Sequence, residues 1–280
     1  MRAIREIRDS LPEAAFFLGN GVNLNAGIMP SWESLLSGIT NGDLLKEGLT
    51  NTEIYDLIEL SSIDHKELKY KVASKLKLQG DENLYPHRRL MEYASITGSP
   101  VLTTNFDHAL ASSISAEKYH VNTRGFTRFY PWKTYYGHEQ LNNPNEGFGI
   151  WHVHGNVEYP DSIRLGLTDY MGSVEKARGL VHNGDDRLFR GKNRSNWKGI
   201  HSWLHIWFNM PLIIFGFGYG SDEVFLRWLL IERKKYYNKF IEPMNVWFVT
   251  KGAPDIGTAN LMRNLEVELI QVDDYDEIYG

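Results

Sequence analysis

This sequence predicts an α/β fold: a mainly parallel sheet with helices on both faces and a small helical module beside it. Three observations carry the prediction. Short apolar runs recur along the chain, and the runs are continuous rather than alternating, as strands covered on both faces must be. The segments between them keep apolar residues at helical spacing.

The elements follow in order. The first run is Ala15-Phe16-Phe17-Leu18, closed by Gly19. Residues 31–97 hold no comparable run, but Ile54, Leu57 and Ile58, then Leu68, Val72 and Leu76, each keep one helical face. That stretch is too long for one crossover and reads as a helical module. Val101-Leu102-Thr103 and Gly149 to Val153 are the next two strands. Residues 171–200, with the run HNGDDRLFRGKNRSNWKG, are polar and glycine-bearing and read as an inserted loop or flap. Leu212 to Phe215, Val246 to Val249 and Val267 to Ile270 complete the set, with a helix on Phe225, Leu226, Leu229 and Leu230. All 280 residues read as one domain.

Composition removes whole classes of function. Hydrophobic residues at 42% and aromatics at 13% suffice for a core, which excludes wholesale disorder. A formal charge of −5 with no long basic run argues against direct nucleic-acid binding. The absence of cysteine excludes disulfides, thiolate zinc sites and a cysteine nucleophile. No signal-like apolar segment opens the chain, and no run approaches a membrane span. The expectation is a soluble, cytoplasmic protein without membrane contact.

In an open α/β sheet, ligands bind beyond the carboxyl ends of the strands, so the residues after each run matter most. After the first comes Gly19-Asn20-Gly21-Val22-Asn23, either a plain turn or a loop whose amides face a phosphate. After the second comes Thr103-Thr104-Asn105-Phe106-Asp107, where Thr104 or Asn105 could cap a helix with Asp107 in its first turn, and Asn105 and Asp107 are also placed to hydrogen-bond a ribose. After the third, His152 and His154 share a strand face. A metal pair lacks a clear third ligand, and His154, at the strand end, is the better candidate base. After the fourth comes Gly216-Phe217-Gly218-Tyr219-Gly220-Ser221-Asp222, again a turn with a cap or a ligand loop.

Taken in order, these four motifs resemble those of the sirtuin superfamily, and more closely the sirtuin-like domains of bacterial antiphage systems, which hydrolyse NAD. The resemblance runs over residues 14–275 and implies a Rossmann-like sheet with a small helical module. It implies that Asn105 and His154 are catalytic, that Gly19 and Gly21 lie along the pyrophosphate, and that Asp107 attends the nicotinamide-ribose end. Gly216, Gly218 and Ser221 would hold the adenosine side, with Val272 and Asp273 near adenine. Asn20, Asn23, Thr104 and Asp222 complete the implied NAD-contacting set. Two departures stand out. Deacylases of the superfamily carry a four-cysteine zinc module, and their first loop reads Gly-Ala-Gly followed by a serine, where this chain has Asn20 and Asn23.

The implied activity is NAD hydrolysis to nicotinamide and ADP-ribose, with NAD as substrate and no metal, by the NAD-depleting effector of an abortive-infection system. A cationic pyridinium leaves as neutral nicotinamide with little acid assistance, so the paired carboxylates of ordinary glycosidases are not required. The other readings are an NAD or ADP-ribose sensor without turnover and a zinc-free deacylase. Because uncontrolled hydrolysis would drain the host, gating by a homo-oligomer or a second defence protein is expected. The stretch at 182–201 is the candidate gate, with Arg187, Arg190, Lys192, Arg194 and Lys198 and, within it or just after, Trp197, Trp203 and Trp207.

Overall fold

Phe16 and Leu18 point to one side of a sheet, Ala15 and Phe17 to the other, and all four are fully buried. This is the two-residue period of a strand with a core on each face. The structure is a computed structural model that describes residues 1–40, 47–62, 65–190 and 195–280. The chain opens with α1 (Arg2–Ser10) and β1 (Ala15–Leu18). It then runs through α2 (Gly21–Ala26), α3 (Trp32–Ser37), α4 (Asn51–Leu60), α5 (His65–Lys75) and α6 (Tyr85–Ile96). Next come β2 (Val101–Thr103), α7 (Ala109–Ser113), β3 (Glu117–His120), β4 (Thr134–Gly137) and β5 (Ile150–His152). The second half holds α8 (Leu167–His182), α9 (Trp203–Asn209), β6 (Leu212–Phe215) and α10 (Val224–Phe240). It ends with β7 (Val246–Lys251), α11 (Ile256–Asn264), β8 (Glu268–Val272) and α12 (Asp276–Tyr279).

The strands form one eight-stranded sheet in the order β3-β4-β5-β2-β1-β6-β7-β8. From β5 to β8 every pairing is parallel, and β3 and β4 add an antiparallel edge beside β5. The order turns back at the centre: from β1 the chain moves outward to β2 and β5, then crosses to β6 on the other side. The loops after β1, β2, β5 and β6 therefore meet at one carboxyl edge. The expected α/β, Rossmann-like architecture is what the chain adopts.

One core joins Phe17, Leu102, Trp151 and Ile214 to helices α8, α9 and α10. The other joins Phe16, Val101, Ile213 and Trp247 to α1, α6, α7 and α12. A third cluster is the helical module. It unites Leu35 and Leu36 of α3, Ile54 and Ile58 of α4, and Leu68 and Val72 of α5 with Val157, Ile163 and Leu165. Its second helix starts at a capping box, Thr50 with Glu53. The span expected for the module ended at 97, but α6 buries Leu90, Met91 and Ala94 against the sheet, so the module is α3 to α5.

The segment 171–200 differs from the expected flap. Its first part is α8, which buries Tyr170, Ser173, Ala177 and Val181. The turns that follow are pinned by Leu188 and Trp197, 0% and 2% exposed. Trp203 and Trp207 are also fully buried, so these three tryptophans build the core and are not an interface surface. Of the basic residues, Lys192 and Arg194 lie outside the described residues. Arg187, Arg190 and Lys198 hydrogen-bond carbonyls of their own loop.

Candidate active site

A cavity of about 450 Å³ opens at the carboxyl edge of the sheet, a volume within the usual range of small-molecule sites. Asn20, Thr104 to Asp107, His154 and Phe217 to Glu223 line it from the four loops. Met29, Trp32, Leu35 and Leu76 give it an apolar wall on the module side.

Asn105 is 4% exposed, and neither atom of its amide has a hydrogen-bond partner among the described residues. Buried amides are normally paired, so an orphaned one at a cavity marks a place for a ligand. Helix capping does not claim it: α7 begins only at Ala109, and its side-chain cap is absent. Its backbone is fixed instead. The amide of Asn105 donates to Thr103 Oγ1 at 3.1 Å, and its carbonyl accepts from His152 Nδ1 at 2.7 Å. Burial, reinforced by neighbouring His108, pushes His152 down to about 3, so the ring is neutral and its one proton sits on Nδ1. His152 thus positions Asn105 from behind.

His154 is 2% exposed and follows a different pattern. Its Nε2 lies 3.0 Å from Glu223 Oε2, while Nδ1 has no partner among the described residues. With the proton on Nε2 donated to the carboxylate, Nδ1 keeps a free lone pair, the arrangement of a base oriented by an acid. The Tyr170 ring meets the imidazole edge-on at 5.0 Å. The sharp turn after His154 requires glycine: Gly155 has φ +86°, and a Cβ there would lie 2.2 Å from the Ser162 carbonyl oxygen.

Asp107 is wholly buried, and burial raises its pKa against the hydrogen bonds that lower it. Its Oδ1 accepts from the Ala109 amide at 2.8 Å and its Oδ2 from Asn23 Nδ2 at 2.7 Å. Asn23 Nδ2 also reaches Asn20 Oδ1 at 2.8 Å, and Asn23 Oδ1 accepts from His87 Nε2 at 2.7 Å. Burial pushes His87 down to about 4, so it is neutral and donates through that nitrogen. Asn23 therefore lies behind Asp107 rather than on the cavity wall.

Of the NAD-contacting residues expected from sequence, Asn20, Thr104, Asp107, Gly218, Ser221 and Asp222 line the cavity together with Asn105 and His154. Gly19, Gly21 and Gly216 do not. The Gly21 amide donates to the Gly216 carbonyl at 2.7 Å, so these glycines bring two loops into backbone contact. Asp222 neither caps α10 nor stands free: its Oδ2 accepts from the Asn51 amide and from Asn51 Nδ2, both at 3.1 Å, tying the loop to the start of α4. Val272 and Asp273 lie outside the cavity lining. Sequence reasoning missed Glu223, Tyr170 and the module's apolar wall. Glu223 stands beside the Ser221-Asp222 pair that was singled out, but it is 69 positions from His154 and no local signal joins the two.

Residues 99–270 match the model of the SIR2-like domain, well over half of the chain. The chain belongs to the SIR2-like family. No curated protein matches it. SIR2-like domains use NAD as substrate, and the cavity suits that ligand, with unpaired amide and imidazole groups in its lining. The matched span begins after β1, so the Gly19 loop and the module wall are placed at the SIR2-like site by the fold. Among the described residues, no group of three or more His, Asp or Glu gathers to hold a metal. No helix among them is long and apolar enough to cross a membrane.

Proposed function

We propose that this SIR2-like chain hydrolyses NAD at the nicotinamide–ribose bond, giving nicotinamide and ADP-ribose. One observation supports the reading above others: a buried, unpaired Asn105 amide shares a cavity with a His154 ring whose Nε2 is held by Glu223. Neutral nicotinamide departs from the cationic pyridinium with the bonding electrons. Asn105 holds the attacking water or a ribose hydroxyl without adding charge, and His154 Nδ1 takes the proton released as the new C–O bond forms. Tyr170 cannot serve as the base, because burial and then the Glu223 carboxylate push its phenol well above the ordinary value.

The test is incubation of the purified protein with NAD, with and without an acetylated peptide. Nicotinamide and ADP-ribose in equal amounts without peptide support hydrolysis. Peptide-dependent acetyl-ADP-ribose would replace it by deacylation, and binding without turnover would replace it by a sensing role. We also propose that the chain acts in the cytoplasm as the NAD-depleting effector of an antiphage system, gated by self-assembly or by a partner protein. The motif resemblance supports this, as does the need to restrain such an activity. Cellular NAD that stays constant through phage challenge in cells carrying the complete system would refute it.

A further inference from the structure

The glycine loops after β1 and β6 rest on a side chain from the far end of the chain. Tyr279, in α12, is 2% exposed and packs near Phe215, with ring centroids 6.5 Å apart. Its hydroxyl lies 2.4 Å from where a Cβ on Gly21 would be and 2.6 Å from where one on Gly216 would be. It therefore occupies the space that the absence of both side chains leaves open. This hydroxyl has no hydrogen-bond partner among the described residues. Burial raises the phenol's pKa, so the group remains an O–H donor. A buried, unsatisfied donor is a standing cost that a phenylalanine of the same shape would not carry.

We propose that Tyr279 is a positioning residue of the NAD site, a strut whose hydroxyl gains an acceptor from the Gly19–Gly21 and Gly216–Gly218 loops when they settle on the dinucleotide. Both loops present backbone carbonyls, and the Gly216 carbonyl is already engaged by the Gly21 amide at 2.7 Å. The proposed bond requires that a carbonyl of one of these loops move within reach of the phenol, which already stands against both Gly21 and Gly216. The bond exists only in the bound state, so its benefit appears as affinity and not as stability of the free protein. Tyr279 lies outside residues 99–270 and is not among the residues lining the cavity that holds Asn105 and His154.

The inference rests on NAD occupying the cavity but not on hydrolysis, so NAD affinity is read directly by calorimetry beside turnover. Tyr279→Phe is expected to weaken NAD binding about fivefold, the worth of one hydrogen bond. KM should rise in proportion while kcat is kept, and the melting temperature of the free protein should stay level or rise. Gly216→Ala introduces the clash and a strained φ of +78°. Gly216→Ala combined with Tyr279→Phe should melt above Gly216→Ala alone. Unchanged NAD affinity in Tyr279→Phe overturns the inference, as does a loss of stability or folding in that variant. Additive effects of the two substitutions overturn the contact itself. Wild-type protein that binds no NAD overturns the site reading together with this inference, whereas a variant that binds as tightly as wild type overturns the inference alone.

Discussion

The loops after β1 and β6 and the loops after β2 and β5 share one cavity but are finished in opposite ways. The first pair closes on itself: the Gly21 amide bonds the Gly216 carbonyl, and a Cβ on Gly21 would lie 2.7 Å from that oxygen. The second pair ends in side chains, Asn105 and His154, that retain polar atoms without partners among the described residues. On the proposed function, one pair serves shape and the other reaction. Substitutions of the glycines in the first should disturb folding and binding, and substitutions of Asn105 and His154 in the second should disturb turnover.

The largest effects should come from the reactive pair. His154→Ala and Asn105→Ala are each expected to reduce NAD cleavage by about 10²–10⁴-fold, the usual contribution of a positioned acid–base group. Their melting temperatures should stay close to wild type, since neither side chain fills the apolar core. A variant that loses fold and activity together would break the comparison. Glu223→Gln should lower kcat by roughly ten- to a hundredfold, as loss of an orienting partner does elsewhere, with NAD affinity nearly unchanged. Steady-state kinetics beside calorimetry would check it, and a change confined to affinity would move Glu223 into the binding set.

On the shape-forming side, Gly21→Ala should cost about 1–3 kcal/mol in urea unfolding, the range for overpacked sites, because it drives two backbones apart. Unfolding at the wild-type midpoint would show that the loops yield freely. A comparable effect is expected on acid stability, and it touches the supports behind both pairs. His87 and His152 are held neutral by burial, with values near 4 and 3 against an ordinary 6.5. Between about pH 6.5 and 4 the unfolded chain binds protons that the folded chain refuses, so stability is complete above 6.5 and falls as pH drops. The expected slope is about 1.4 kcal/mol per pH unit for each histidine. Equal urea midpoints at pH 7.5 and 5.5 would remove these histidines from the account.

Most of the sheet was legible in the sequence because its parallel strands are apolar on both faces. Ala15–Leu18 and Leu212–Phe215 stand at the bounds read from the apolar runs alone. The antiparallel strands β3, EKYH, and β4, TYYG, were not legible: their side chains are polar or aromatic, and β3 is partly exposed. Residues 171–182 were misread because the polar residues of α8 outnumber those on its buried face, here Tyr170, Ser173, Ala177 and Val181. At the site, Asn105 and His154 were legible as strand-end residues, but their supports were not. Glu223 reaches His154 across 69 positions and Asn23 reaches Asp107 across 84, distances at which no local pattern operates.

The central place of β1 also has a consequence during synthesis. Ala15 pairs with Leu212, so the strand that carries the first glycine loop lacks one neighbour until most of the chain has left the ribosome. At roughly 5–20 residues per second, that wait is about ten to forty seconds. Glu223 and the Gly216 loop emerge no earlier. A nascent copy that has not yet reached Glu223 therefore has no assembled cavity.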